Sequence, residues 1–274
     1  MKKVCVITGG GSGMGLATAK VLGKDYFIVI AGRTVKKLEG AVQELHNAGI
    51  EVEAVACDVS DRASVDQLAA HAKAKGPIAV VVHSAGISPR MGGGTEALMR
   101  INALGTINLN EAFHDLMEKG SCMIDIASMS GYFFSPTEAD MEIYQLSRSD
   151  KGQFIEKAME KINQLPESSR AGMAYVMSKN FVIWYAKADA AKFGEKGARV
   201  ISISPGTFET PMNDAEKEST DNYIPHCAIK RLGRVEEIAD LIAFCASEKA
   251  SYLTGTDILC DGGFVASGFV NSRR

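Results

Sequence analysis

The chain has 274 residues, of which 46% are hydrophobic and 23% are charged, and its formal net charge is −3. These proportions exclude a disordered or fibrous chain, and the length is enough to bury a large core. The slight excess of acid gives no attraction for a polyanion, and no apolar run approaches the roughly 20 residues that span a bilayer. We therefore expect neither a nucleic-acid partner nor a membrane partner.

The six cysteines are far apart in the sequence, and none belongs to a C-x-x-C pair or a Cys/His cluster. Structural zinc sites and disulfide frameworks both need clustered or regularly spaced cysteines. The sequence therefore predicts no bound metal and favours a cytoplasmic protein with free thiols.

Short apolar, β-branched runs alternate with longer segments of helical spacing along most of the chain. The predicted strands span residues 3–8, 26–31, 51–56, 78–83, 121–127, 198–203 and 256–260. The predicted helices span residues 13–22, 35–48, 63–74, 96–118, 172–192 and 235–246. This alternation predicts an α/β fold, a doubly wound Rossmann-type parallel sheet of about seven strands with helices on both faces. No linker or repeat divides the chain, so we predict a single domain over residues 1–274.

One segment, residues 132–171, is far longer than the usual strand-to-helix connection of about 2–6 residues. Apolar residues recur at helical spacing from Phe154 to Leu165, and Pro166 ends the run. A second apolar cluster, from Met141 to Leu146, predicts one or two further helical turns. We expect a small inserted helical lobe at the carboxyl end of a central strand.

A glycine-rich turn lies between the first predicted strand and the first predicted helix. It reads Thr8-Gly9-Gly10-Gly11-Ser12-Gly13-Met14-Gly15. Glycines allow positive φ and close approach of the backbone, and the helix start offers free N–H groups to phosphates. This strand–turn–helix context predicts a dinucleotide site, because a glycine-rich turn alone would also fit a flexible loop.

The end of the second strand distinguishes the two nicotinamide dinucleotides. NAD sites usually place an acid here for the ribose 2′-hydroxyl, whereas a nearby Arg accommodates the 2′-phosphate of NADP. This chain has Arg33 and Thr34 and no acid, so NADP is favoured and NAD stays as the alternative. Arg33 would also fit a solvated loop or stacking on adenine.

Tyr175 and Lys179 are spaced i and i+4 on a predicted helix, so they share one face. Lowering a tyrosine pKa from about 10 to neutrality needs roughly 4 kcal/mol of preferential stabilisation of the phenolate. A neighbouring ammonium is one plausible source, and such a tyrosine would act as a general acid or base. By itself this spacing is common in helices.

The motifs taken together resemble the short-chain dehydrogenase/reductase family over essentially the whole chain outside the insert. The residues that carry the resemblance are Thr8–Gly15, Asp58-Val59, Asn102-Ala103-Leu104-Gly105, Ser128 with Gly131, Tyr175 with Lys179, Pro205-Gly206 with Thr210, and Asp261-Gly262-Gly263. The resemblance implies an oxidoreductase that transfers hydride between NADP(H) or NAD(H) and a secondary alcohol or ketone.

The resemblance also implies individual roles. Ser128 would hold the substrate carbonyl, Tyr175 would pass the proton, and Lys179 would lower the Tyr175 pKa and bind the nicotinamide ribose. Asn102 would position a water that links Lys179 to solvent. Ser130 competes with Ser128 for its role, and the spacing favours Ser128. The implied cofactor-binding residues are Gly9, Ser12, Gly13, Met14, Gly15, Arg33, Thr34, Asp58, Val59, Ser84, Ala85, Gly86, Tyr175, Lys179, Pro205, Gly206 and Thr210.

Two features depart from the common family pattern. The usual Asn-Asn-Ala-Gly after the fourth strand is His83-Ser84-Ala85-Gly86 here, which changes one cofactor contact. The insert separates Ser128 from Tyr175 more widely than usual, as in a branch similar to 3α-hydroxysteroid dehydrogenase/carbonyl reductase.

That branch suggests a hydroxysteroid or bile acid as the substrate, covered by the insert and the loop over residues 207–229. Candidate lining residues are Phe133, Phe134, Met141, Tyr144, Phe208, Met212 and Tyr223, which would equally fit a lobe core or a subunit contact. Alternatives are a carbonyl or 3-oxoacyl reductase for smaller substrates, a catalytically silent dinucleotide sensor, or a partner-binding module. The family is commonly oligomeric, so we expect a homodimer or homotetramer.

Overall fold

The computed structural model describes residues 2–215, 220 and 222–269, without the side chains of residues 214 and 215. Seven strands form one parallel sheet in the order β3-β2-β1-β4-β5-β6-β7. The strands are β1 Val4–Thr8, β2 Phe27–Gly32, β3 Val52–Ala56, β4 Ile78–His83, β5 Met117–Ile126, β6 Arg199–Pro205 and β7 Thr256–Cys260. The predicted doubly wound Rossmann-type sheet is confirmed.

Helices cover both faces of this sheet and connect its strands. They are α1 Gly13–Leu22, α2 Val35–Asn47, α3 Arg62–Lys75, α4 Gly94–Met99, α5 Gly105–His114, α6 Glu138–Leu146, α7 Lys151–Asn163, α8 Glu167–Glu195, α9 Pro211–Ala215 and α10 Val235–Ala246. A π-helical turn, Arg100–Leu104, joins α4 to α5, and short 3-10 turns include Met129–Phe133. No helix within the described residues has both the length and the apolar character needed to cross a bilayer.

Two apolar layers hold the helices to the sheet. On one face, side chains such as Leu68 of α3, Phe113 of α5 and Phe181 of α8 pack against the strands. On the other face, Leu22 of α1 and Ile242 of α10 belong to a second buried cluster. Burying such side chains stabilises the fold by roughly 1.5–3 kcal/mol each, before conformational entropy is counted.

The strand order reverses between β1 and β4, which are paired side by side. The connections that follow β1 and β4 run in opposite directions across the sheet, so a crevice opens between them at the carboxyl ends of the strands. The glycine turn after β1 and the His83-Ser84-Ala85-Gly86 segment after β4 meet there: a Cβ on Gly9 would lie 2.9 Å from the backbone N of Ala85. The fold thus places a binding crevice beside the predicted phosphate turn.

The segment predicted as an insert contains α6 and α7, and this helical lobe packs on α8 and on the α4 segment. Its α6 begins with a capping box in which Thr137 and Asp140 bond each other's backbone N–H groups. The prediction that helices occupy residues 132–171 is confirmed, but the boundary is wrong at one end. Residues 167–171 belong to α8, because Pro166 caps that helix.

Aromatic rings fill the junction between the lobe and α8. Tyr144 and Phe154 lie with ring centroids 5.2 Å and 4.7 Å from that of Phe181, and all three side chains are fully buried. Arg148 pairs with the buried Asp189 at 2.6 Å and lies over the Trp184 ring at 5.8 Å. These contacts dock the lobe on the helix that carries Tyr175 and Lys179.

Candidate active site

The glycine turn forms one wall of a cavity of about 260 Å³. Gly9 and Gly13 have φ values of +69° and +54°, which only glycine adopts at low cost. A Cβ on Gly15 would lie 2.5 Å from the carbonyl oxygen of Gly9, so α1 starts in direct contact with the turn. Ser12 is the N-cap of α1 and makes no side-chain cap bond, which leaves the helix start open to an anion.

Many of the residues predicted to bind cofactor line this cavity. They are Gly9, Ser12, Gly13, Met14, Arg33, Thr34, Val59, Ser84, Ala85, Gly86 and Thr210. The other predicted cofactor residues are not part of its lining. Gly15 packs on Gly9, and the Asp58 carboxylate accepts hydrogen bonds from the backbone N and the hydroxyl of Ser60. Gly206 is held against Asp261, since a Cβ there would lie 2.6 Å from the Asp261 Cα.

The cavity also has a basic rim that sequence motifs did not fully reveal. Arg33, Thr34 and Lys37 line it, and no carboxylate does so among the described residues. Lys37 contacts the glycine turn, because a Cβ on Gly11 would lie 3.3 Å from the Lys37 Cβ. Lys37 stands in the first turn of α2, and its spacing from the Thr34 cap could have indicated it. The lining chemistry suits a phosphate.

Asn102 lies in the π-helical turn and is almost completely buried. Its Oδ1 accepts from the backbone N of Ile87 at 2.9 Å, and its Nδ2 donates to the Ile87 carbonyl at 3.0 Å and to Ser178 Oγ at 3.2 Å. π turns insert one extra residue into a helix and are frequent at functional sites. Here the turn directs an amide to the segment that borders the cavity.

Lys179 is buried on α8, and its Nζ donates to the carbonyl oxygen of Ile126 at 2.9 Å. A Cβ on Gly86, a cavity-lining residue, would lie 3.1 Å from Asn102 Oδ1 and 3.4 Å from Lys179 Nζ. Burial lowers the Lys179 pKa to about 8, while the negative charge of Asp125 opposes that shift. Lys179 and Asn102 therefore stand directly behind one wall of the cavity.

Ser128 begins the 3-10 turn after β5, and its hydroxyl accepts from the backbone N of Ser130 at 3.1 Å. This turn packs on α8: a Cβ on Gly131 would lie 3.0 Å from the Asn180 backbone N. The Asn180 Nδ2 donates to the Gly131 carbonyl at 2.9 Å. Tyr175 is partly buried on α8, one turn before Lys179. The elements that carry Ser128, Tyr175 and Lys179 are thus in contact.

His83, which replaces the usual Asn, forms a hydrogen bond through Nδ1 with Thr8 Oγ1 at 2.9 Å. The same hydroxyl accepts from the Ala85 backbone N at 3.2 Å. Burial lowers the His83 pKa to about 3, and the Lys179 charge adds to the effect, so His83 is neutral at physiological pH. Its role in the folded chain is to tie the segment after β4 to the glycine turn.

The predicted substrate-lining residues divide into four sets. Tyr144 is a core residue with no exposed surface, so its assignment to a pocket wall is wrong. Phe133 and Tyr223 join a small apolar cluster with Phe264, at centroid distances of 6.0 Å and 4.9 Å. Met212 lines the nucleotide cavity. The remaining candidates pack elsewhere: Phe208 is buried against Gly233, and Phe134 and Met141 pack on the large core.

Part of the loop expected to cover the substrate lies outside the described residues, namely 216–219 and 221. Among the residues that the structure does describe, no three His, Cys, Asp or Glu side chains come together as a metal site requires.

Residues 3–144 match the family model described as short chain dehydrogenase, and residues 161–265 match one described as Enoyl-(Acyl carrier protein) reductase. The chain is 31% identical to the oxidoreductase YxbG of Bacillus subtilis over 283 residues, covering 96% of this chain and 91% of that protein. It is 29% identical to a 7alpha-hydroxysteroid dehydrogenase of Bacteroides fragilis, covering 95% and 93%.

A 3-oxoacyl-[acyl-carrier-protein] reductase of Thermotoga maritima is 27% identical, with 96% of this chain and 98% of that protein covered. Among solved structures, a short chain dehydrogenase of Burkholderia cenocepacia in complex with NADP has a TM-score of 0.76 at 23% identity. That match covers 97% of this chain and 98% of the other, and it supports the fold.

Proposed function

The chain belongs to the short-chain dehydrogenase family, and on that premise we propose that it transfers hydride between NADP(H) and a secondary alcohol or ketone. The observation that carries the proposal is the wall at Gly86. This residue lines the nucleotide cavity on one side and adjoins Asn102 Oδ1 and Lys179 Nζ on the other. A cofactor in the cavity would therefore lie next to the residues proposed to handle the proton.

The chain's own residues fit a dinucleotide. Close packing at Gly9 and Gly15, an open helix start at Ser12 and two cations beside the cavity provide a cradle for phosphates. When bound, the nicotinamide supplies or accepts the hydride.

The proton is assigned to Tyr175. In reduction its hydroxyl gives a proton to the developing alkoxide, and in oxidation the phenolate takes one from the alcohol. Ser128 donates a hydrogen bond to the same substrate oxygen and so holds it in place. Burial lowers the Lys179 pKa, but the group stays a base whose ammonium form stabilises the phenolate. Asn102 fixes the segment around Ile87 that borders the site.

The assay is oxidation of NADPH at 340 nm with a panel of ketones. We expect turnover by the native protein and a loss of at least about 100-fold in kcat for Tyr175→Phe, because general acid catalysis contributes about 10²–10⁴-fold. The control is Tyr252→Phe, which removes the same hydroxyl from a fully exposed side chain. Tight binding of NADPH without turnover of any carbonyl would instead identify a silent sensor.

We propose NADP rather than NAD as the cofactor. Arg33 and Lys37 line the cavity, and no carboxylate among the described residues does so. Arginine forms charge-assisted hydrogen bonds to phosphate, each worth about 1.5–3 kcal/mol before solvent screening. Arg33→Ser should lower the preference for NADPH over NADH by about tenfold, measured as a ratio of kcat/KM values. An unchanged ratio would remove Arg33 from the site.

We propose a hydroxysteroid or bile acid as the substrate. The support is the apolar cluster of Met129, Phe133, Tyr223 and Phe264, which begins one residue after Ser128. The second candidate is a 3-oxoacyl or other small ketone, which the Thermotoga maritima relative favours. A panel of steroid ketones and short 3-oxoacyl thioesters separates the two, since apolar burial at about 25 cal/mol per Å² should give the larger ketone the lower KM.

A further inference from the structure

A row of polar side chains crosses the sheet beneath the proposed site. Thr8, His83, Asp125, Ser202 and Asp257 occupy aligned positions on β1, β4, β5, β6 and β7. Aligned residues of parallel strands project to the same face of the sheet. Within this row, Thr8 is hydrogen-bonded to His83 at 2.9 Å, and Ser202 is hydrogen-bonded to Asp257 at 2.6 Å. Asp125 lies between these pairs.

The Asp125 carboxylate has no exposed surface and receives both of its hydrogen bonds from one side chain. The Asn110 Nδ2 of α5 donates to Oδ1 at 3.0 Å and to Oδ2 at 3.1 Å. A buried carboxylate with one neutral donor is poorly compensated and needs a cation nearby. Consistent with this, burial raises the Asp125 pKa, although the Asn110 bond and the Lys179 charge oppose the rise.

Lys179 is the cation whose charge acts on Asp125. Its Nζ donates to the carbonyl of Ile126, the residue next to Asp125 on β5. Each charge favours the other: Lys179 lowers the pKa of Asp125, and Asp125 raises the pKa of Lys179. Burial dominates both pKa values and acts against both charges.

Other titratable groups around this pair do not take over its roles. His83 on β4 is neutral, because burial lowers its pKa to about 3. Asp189 on α8 raises the pKa of Asp125, and it is itself paired with Arg148 at 2.6 Å. The structure therefore leaves Asp125 as the carboxylate that favours a charged Lys179.

We propose that Asp125 is a positioning residue that keeps Lys179 in its ammonium form beside Tyr175. This inference rests on the proposed function, because it assigns Asp125 an effect on Tyr175 that acts through Lys179. Asp125 touches neither substrate nor cofactor in this scheme. Its side chain stands on the sheet, and the carbonyl of the following residue anchors the lysine.

The test is the pH dependence of alcohol oxidation by Asp125→Asn, which removes the charge and keeps the shape. Without the carboxylate, Lys179 loses protons more readily and stabilises the Tyr175 phenolate less. We expect the acidic limb of kcat/KM to move to higher pH by about half a unit or more. The matched control is Ser202→Ala, an uncharged buried position in the same row, for which the limb should not move.

The inference is overturned if Asp125→Asn folds and turns over substrate with the same acidic limb of kcat/KM as the native protein. It is also overturned if Ser202→Ala shifts that limb by the same amount. A native protein that turns over no alcohol or ketone is a failure of the proposed function instead. If the native protein shows no turnover, or if Asp125→Asn is too unstable for a kinetic assay, the interaction between Asp125 and Lys179 is tested by thermal unfolding.

The unfolding test is a double-mutant cycle with Lys179→Met. If the two charges interact, the change in Tm caused by Asp125→Asn is less favourable in the native background than it is once Lys179 is Met. Equal Tm changes in both backgrounds refute the interaction whether or not the protein has activity.

Discussion

Removal of the Tyr144 hydroxyl tests how the lobe is joined to the helix of the proposed site. The hydroxyl lies 3.1 Å from the Met177 carbonyl and 3.0 Å from Asn180 Oδ1, both on α8. Asn180 presents its Oδ1 here because its Nδ2 donates to Gly131 and Phe134 carbonyls. Both neighbours of the hydroxyl are thus acceptors, and its single proton is shared between them.

Tyr144→Phe keeps the ring that packs on Phe181 and removes that proton. A typical hydrogen bond contributes about 1 kcal/mol net, and leaving a buried acceptor unpaired costs about 1–3 kcal/mol. We expect the free energy of unfolding to fall by about 1–3 kcal/mol. For a chain of this size that corresponds to a decrease in Tm of roughly 2–10 °C.

Thermal and urea unfolding of Tyr144→Phe and the exposed control Tyr252→Phe measure this difference directly. The control should unfold within about 0.5 kcal/mol of the native protein, because its side chain is fully solvated. Equal stability of the two variants would refute the reasoning, since it would mean that the buried hydroxyl does not join α6 to α8.

Two further predictions address the phosphate turn and the lobe. Gly15→Ala places a methyl group 2.5 Å from the Gly9 carbonyl, so we expect affinity for NADPH, measured by fluorescence titration, to fall at least about tenfold. Gly40→Ala is its control, because nothing lies within 4 Å of that position, and equal affinity in both variants contradicts the contact. Burial raises the Asp140 pKa, but hydrogen bonds from Lys161 and Thr137 together lower it by more, so the net change is a lowered pKa. The ionised carboxylate therefore stabilises the fold above a pH of about 4, and this contribution is lost as the pH falls through the lowered pKa. Asp140→Asn should therefore unfold more easily than the native protein at pH 7, by a margin that shrinks as the pH falls below about 4, and a stability difference that does not shrink in acid would contradict this.

Periodicity predicted the elements that bury a regular face. Helices α1 and α10 and strands β4 and β7 begin and end at the predicted residues. The predicted helix over residues 96–118 was wrong at its end, because β5 begins at Met117 and pairs with Ile78. Ser121 Oγ also donates to the Ile78 carbonyl at 2.8 Å. Local residue preferences carry no information about such a pairing across 39 positions of sequence.

The site was predictable where a motif fixes both residue type and place, as for the glycine turn and the segment from Ser84 to Gly86. Tyr144 remained a candidate for a pocket wall or for a core, because an aromatic residue in such a segment fits either place and spacing alone cannot distinguish them. Lys37 and Asp125 went unnoticed for a different reason. Each gains its importance from a neighbour distant in sequence, Gly11 for the lysine and Lys179 for the aspartate.

The π-helical turn at Arg100–Leu104 contains Asn102 and leads directly into α5, which contains Asn110. The two asparagines bind different segments next to the proposed site. Asn102 and Asn110 are eight positions apart, and eight residues of ordinary α-helix turn by about 800°, which would leave them about 80° out of line. A π turn rotates the chain by less per residue than an α-helix does, and the two amides have different partners: Asn102 accepts from Ile87, and Asn110 donates to Asp125. Shortening this helix by one residue would therefore rotate the second amide away from its carboxylate even though every side chain involved were kept.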